Sequence, residues 1–160
     1  MKMKNITILG FTLISMAVAV AIAADSEMDR ATLKGLKGLK VMVAQEELEV
    51  GQAGLTKSSI QTDVELKLRL AGFPVLSGDA DPFLHVGAYV LTDSSGLFRY
   101  TLTVQVYQLA QLSRDPKISS VVPTWEVWRF GGIGDVHQVR SEIKDLVDKF
   151  INAYLSVNPK

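Results

Sequence analysis

Apolar and polar residues alternate along several stretches of this chain and recur at helical spacing along two others, so the change of period marks the expected elements. From Leu39 to Gln45, Leu39, Val41 and Val43 alternate with Lys40, Met42 and Ala44, which predicts a first strand with one apolar face. Glu46 to Gly54, rich in acids and amides and holding two glycines, reads as a loop. Leu55 to Gly72 then reads as a helix. Thr56 supplies an N-cap oxygen, and Ile60, Val64, Leu68 and Ala71 share one face, which Leu66 and Leu70 widen. Gly72 suits a left-handed C-terminal residue and Pro74 forbids continuation. Phe73 to Leu76 is expected as a short strand and Ser77 to Pro82 as a turn.

Two extended runs follow, Phe83 to Leu91 and Leu97 to Leu109, joined by Thr92-Asp93-Ser94-Ser95-Gly96 as a hairpin loop whose glycine suits positive φ. In the second run Phe98, Tyr100, Leu102, Val104 and Val106 alternate with Arg99, Thr101, Thr103, Gln105 and Tyr107. This is the pattern of an antiparallel strand with one face on a core and one toward water. Arg114-Asp115-Pro116-Lys117 makes the next turn, and Ser120 to Phe130 the last strand. Pro123 cannot donate a ladder hydrogen bond, so it places this strand at an edge or demands a bulge. Asp135 to Leu155 reads as the final helix, with Asp135 and Gln138 at capping-box spacing and Val139, Ile143, Leu146, Phe150 and Tyr154 in a stripe. The order β-α-β-β-β-β-α predicts an α+β fold with a mixed, largely antiparallel sheet of about five strands and two helices.

Ahead of these elements stands a leader. Lys2 and Lys4 precede an almost wholly apolar run from Ile6 to Val20, and Ala21-Ile22-Ala23 places small residues at Ala21 and Ala23, the positions a signal peptidase reads. Residues 1–23 are therefore expected to be a cleaved signal peptide, cut after Ala23. The competing reading is an uncleaved anchor, against which stand Thr7, Gly10, Thr12 and Ser15 within the run. Residues 24–38 read as a flexible tether and 39–160 as a single domain, since one core commonly forms from roughly 100 to 200 residues. Leu33 to Lys40, LKGLKGLK, reads as a solvated lead-in, its three lysines being fewer than polybasic lipid recognition uses.

Removal of the leader takes two of the 17 basic residues and none of the 17 acidic ones, leaving a net charge of −2. Such a balance argues against nucleic acid, which demands clustered positive charge. The chain has no cysteine, which excludes both disulfides and a lipidated lipoprotein amino terminus. The expected location is the periplasm or the exterior, with the membrane met only through the leader.

Across nearly the whole mature chain, LKGLKGLKVMV, GLTKSSIQTDVELKLRLAGFPVL, YTLTVQVYQLAQLSRDP and DLVDKFINAYLSVNPK resemble uncharacterised exported bacterial proteins of similar length. More distantly, Leu39 to Leu76 resembles the small α/β modules of cell-envelope assembly proteins, such as the TolB amino-terminal domain and the lipoprotein activators of penicillin-binding proteins. That resemblance is topological. It implies binding to other envelope proteins and transfers no functional residue, and the missing lipidation cysteine departs from the activator lipoproteins.

Candidate chemistry is sparse. Gly131-Gly132-Ile133-Gly134 before the last helix could cradle phosphate, but Asp135 at the cap repels it, and a plain strand-to-helix turn is expected. Asp79 and Asp81 near Ser77 could ligate calcium, although turn acids more often bond nearby backbone. His85 reads as a sheet residue and His137 as a solvated one, with no partner at metal-ligand spacing. No cofactor, metal or nucleophilic catalytic set is expected. The remaining candidates are aromatic: with Trp125 and Val127 on the core face, Trp128 turns outward beside Glu126, and Tyr107 lies on the polar side of its own strand. Tyr107, Glu126 and Trp128 thus form a candidate partner-contact face, against which stands cover by another part of the chain or a one-residue slip at Pro123. A non-enzymatic binding or adaptor module of the cell envelope is the leading expectation. A small-ligand-binding domain and a hydrolase of envelope polymers using Asp79, Asp81 or Asp93 are the alternatives.

Overall fold

The computed structural model describes residues 25–44, 55–78, 82–94 and 96–159. The leader with its cut at Ala23, the loop after the first strand, and Asp79 and Asp81 lie outside the described residues. The elements in chain order are α1 (Glu27–Ala31), β1 (Lys40–Ala44), α2 (Lys57–Leu70), β2 (Phe83–Thr92), β3 (Phe98–Leu112), β4 (Asp115–Ile133) and α3 (His137–Val157). The fold is α+β, with a four-stranded mixed sheet in the order β1-β2-β3-β4. β1 runs parallel to β2, reached through α2, and the remaining pairs are antiparallel.

The strand alternation assigns the faces. Val41 and Val43 of β1, Leu84, Val86, Ala88 and Val90 of β2, Tyr100 to Val106 at every second residue of β3, and Trp125 and Val127 of β4 are buried. They form one core with Ile60, Val64 and Leu68 of α2 and the stripe Val139, Ile143, Leu146, Val147 and Phe150 of α3. All the major helices therefore lie on one side of the sheet. Trp125 packs edge-on against Phe150 at 5.5 Å, and Phe150 meets Phe73, which in turn contacts Tyr154 at 4.7 Å. Ion pairs join the helices at their rims: Asp63 of α2 accepts from Arg140 and Lys144 of α3, and Arg129 of β4 meets Glu142 and Asp145. Burial pushes the Asp63 carboxyl up, but the hydrogen bonds and charges of Arg140 and Lys144 outweigh it and hold it below its ordinary value.

Several expectations are corrected. The segment expected as a flexible tether holds α1, capped reciprocally by Ser26 and Asp29, and its continuation buries Leu33 and Leu36 in the core. Tyr154 of α3 and Asn158 just after it clamp that continuation: Tyr154 Oη donates to the Leu36 carbonyl, and the Asn158 side chain donates to the Leu33 carbonyl and accepts from the Gly35 amide. Asp25, at φ 82°, accepts from Trp125 Nε1 at 3.0 Å and from Arg30. Burial raises the Asp25 carboxyl, yet these bonds and the guanidinium charge bring it below the usual carboxylate value.

The expected strand at Phe73 to Leu76 is one parallel bridge, Leu39 to Val75, made by Leu39 N to Pro74 O and Leu76 N to Leu39 O, because Pro74 has no N–H to extend the ladder. The sheet thus has four strands rather than five. β4 is longer than expected at both ends and absorbs Gly131 and Gly132, where a side chain would strike Tyr100 and Arg99 respectively. The glycine run is therefore largely strand rather than turn. At α3 the capping box does not form. Asp135 Oδ1 accepts from His137 N, two residues on, and the Gln138 amide bonds the Asp135 carbonyl instead. Thr56 does cap α2, paired with Ser59, and Gly72 and Gly96 take the positive φ expected of them.

If residues 33–36 belong to the core, Leu33→Ala lowers the unfolding free energy by about 3 kcal/mol, read from urea denaturation. A loss below about 0.5 kcal/mol, as for an ordinary surface site, would return this segment to the status of a tether.

Candidate functional site

The sheet face opposite the helices carries the sequence-derived candidates. Pro123 sits at the edge strand and also at a bulge: Tyr107 pairs with Pro123 while Val106 pairs with Trp125, so Thr124 is the extra residue. That single insertion keeps Trp125 and Val127 inward and sends Glu126 and Trp128 outward. Tyr107, Glu126 and Trp128 accordingly share one face, as the alternation predicts.

The register arranges this face in cross-strand rows. Phe83 lies beside Tyr107, His85 beside Gln105 and Glu126, Gly87 beside Thr103 and Trp128, and Tyr89 beside Thr101 and Phe130. Phe83 stacks on Tyr107 with ring centroids 4.9 Å apart, and Trp128 stacks on Phe130 at 5.5 Å. Between these two aromatic pairs, Gln105 Nε2 donates to Glu126 Oε2 at 2.8 Å. Phe130 is 57% exposed, and Tyr89 and Met42 also face water. Among the described residues, no element packs over this face.

At its centre Gly87 leaves a notch of about 140 Å³ lined by Ala44, His85, Tyr89, Thr101 and Thr103. Any side chain at position 87 would come within 2.5 Å of Thr103 Oγ1, so the floor of the notch depends on glycine. His85 turns its ring edge toward Tyr107 at 5.8 Å, and its Nδ1 is buried without a hydrogen-bond partner. This surface offers flat aromatic area beside a few polar groups, which suits binding by contact.

The other candidates do not gather into a site. Asp93 is held by Arg99 at 2.9 Å and by the Leu97 amide, closing the β2–β3 hairpin. His137 is exposed at the start of α3, far along the chain and on a different element from His85. Among the described residues no group of three or more His, Cys, Asp or Glu could hold a metal ion. Phe83, Tyr89 and Phe130 were not singled out from the sequence, although the same alternation that turns Trp128 outward places Phe130 beside it.

No protein-family model matches the chain, and no curated protein matches it. Among solved structures, the chain is similar to the crystal structure of a minor lipoprotein from Acinetobacter baumannii, at 14% identity and a TM-score of 0.30, over 76% of this chain and 93% of that one. A similarity at that level carries no argument about activity.

The two tryptophans separate the faces energetically. Trp128→Ala costs about 1 kcal/mol, the worth of one ring contact, whereas Trp125→Ala costs about 3–5 kcal/mol through loss of core packing. Equal losses in urea unfolding would contradict the assignment of faces.

Proposed function

We propose that this protein is an exported, non-enzymatic binding module that recognises another protein of the cell envelope through the aromatic face of its sheet. The observation that carries the reading is the grouping of Tyr107, Glu126 and Trp128 with Phe83 and Phe130 on a face that the helices leave bare. A domain that needed those aromatics for stability would bury them, as it buries Trp125. The apolar leader with its Ala-x-Ala ending supports the location. The notch at Gly87 favours a second, compatible reading in which one small apolar or hydroxyl-bearing side chain of the partner, or a small ligand, seats between His85 and Tyr89. The hydrolase alternative draws little from the structure, since Asp93 is committed to Arg99.

A photoreactive side chain at Thr101, on the aromatic face, should give a discrete adduct with one envelope protein in exporting cells. The adduct should vanish with Trp128→Ala. Identical adducts from a probe at Ser141, exposed on α3 away from this face, or an adduct indifferent to Trp128→Ala, would sink the reading.

A further inference from the structure

We infer that the projecting end of the β3–β4 ribbon, together with the basic turn at its base, is a contact site for an anionic lipid surface. β2 stops pairing with β3 at Phe83 and Tyr107, whereas β3 and β4 stay paired from Gln108–Val122 out to Leu112–Asp115. Residues 108–122 therefore leave the sheet as a two-stranded ribbon, which has no third strand and no core of its own. Even so, it carries four large aliphatic side chains in water: Leu109 at 61% exposure opposite Val121 at 44%, with Leu112 and Ile118 nearer the tip. Soluble surfaces seldom gather apolar groups on so small a projection without a use for them.

Charge indicates what the ribbon meets. Arg114 and Lys117 stand exposed at its tip, with Asp115 the only acid on it. At its base, Thr32 accepts from Gln108 Nε2 at 3.1 Å and donates through Oγ1 to the Thr124 carbonyl, which seats the turn after α1 against the ribbon. Lys34 and Lys37 follow in that turn and its continuation, and both are exposed. β1 begins at Lys40, level with Phe83 and Tyr107, so this segment approaches from the end at which the ribbon departs. Among the described residues none of these four cations has a carboxylate within ion-pair distance.

Aliphatic side chains flanked by free lysine and arginine suit the boundary between headgroups and acyl chains, where the cations reach anionic phosphate while the aliphatic groups enter the boundary. A second copy fits less well, because two such ends would bring their unpaired cations together. The lysines of LKGLKGLK are too few alone. The fold adds Arg114 and Lys117 to the same end and reaches the number that lipid recognition uses.

The test uses the chain from residue 24 onward, which retains every described residue, sedimented with vesicles of mixed phosphatidylglycerol and phosphatidylcholine or of phosphatidylcholine alone. Binding to the mixed vesicles is expected, weakening as salt is raised and about fivefold with Lys117→Ser. Leu109→Ser with Val121→Ser should abolish it while leaving the circular dichroism and melting unchanged, and Trp128→Ala should leave it intact, which separates this site from the aromatic face. The inference is overturned by absence of binding to anionic vesicles, by equal binding to neutral ones, or by binding that survives both ribbon variants. It is equally overturned if light scattering shows dimers that the Leu109/Val121 variant dissolves while vesicles sediment nothing, which would make a second copy the occupant.

Discussion

Helix α3 laid across one face of β3 and β4 is the contact on which the rest of the structure depends. Its stripe brings Phe150 against Trp125, Phe73 and Tyr154, so one aromatic cluster joins the edge strand, the last helix and the segment after α2. The same helix and the residue that follows it hold the segment after α1, through Tyr154 to Leu36 and Asn158 to Leu33 and Gly35. In a domain without cysteine these packing contacts hold the fold without covalent cross-links. Trp125 Nε1, which would otherwise be a buried donor without an acceptor, finds Asp25, one hundred residues away in sequence.

With the helices on one side, the alternation of each strand sends every second residue to the other. The bulge at Thr124 is decisive for this, because without it Trp125 and Trp128 would exchange faces. The bare face and the projecting ribbon are thus two consequences of one architecture: a long β3–β4 hairpin that outruns both its neighbouring strand and the helices beneath it. The first exposes aromatic area, and the second exposes aliphatic and basic groups at one end of the molecule.

Much of this was legible in the residues, for physical reasons that also explain the failures. β3 and α3 carry long, unbroken periodicities, and Pro123 announces its edge and bulge because it lacks a donor. The outward turn of Trp128 and Tyr107 follows from those two signals. α1 is not legible because its five residues, three of them charged, have no period to read, although Ser26 and Asp29 stand at capping-box spacing, and because the anchoring of Leu33 depends on Asn158 at the end of α3, more than a hundred residues on. Phe73 to Leu76 looked like a strand by composition, yet Pro74 leaves it a single bridge. The outer part of β4 is hidden because Asp115-Pro116-Lys117 reads as a turn and Ser119 is polar and exposed, and its strand state comes from pairing across to β3 rather than from burial.

The central claim is that the sheet is packed on one face and open on the other, and the two tryptophans report on one face each. Acrylamide quenching of single-tryptophan variants, Trp128→Phe to isolate Trp125 and Trp125→Phe to isolate Trp128, tests it most directly. The account predicts a shielded, blue-shifted Trp125 and a readily quenched Trp128; a Trp128 as protected as Trp125 would contradict it.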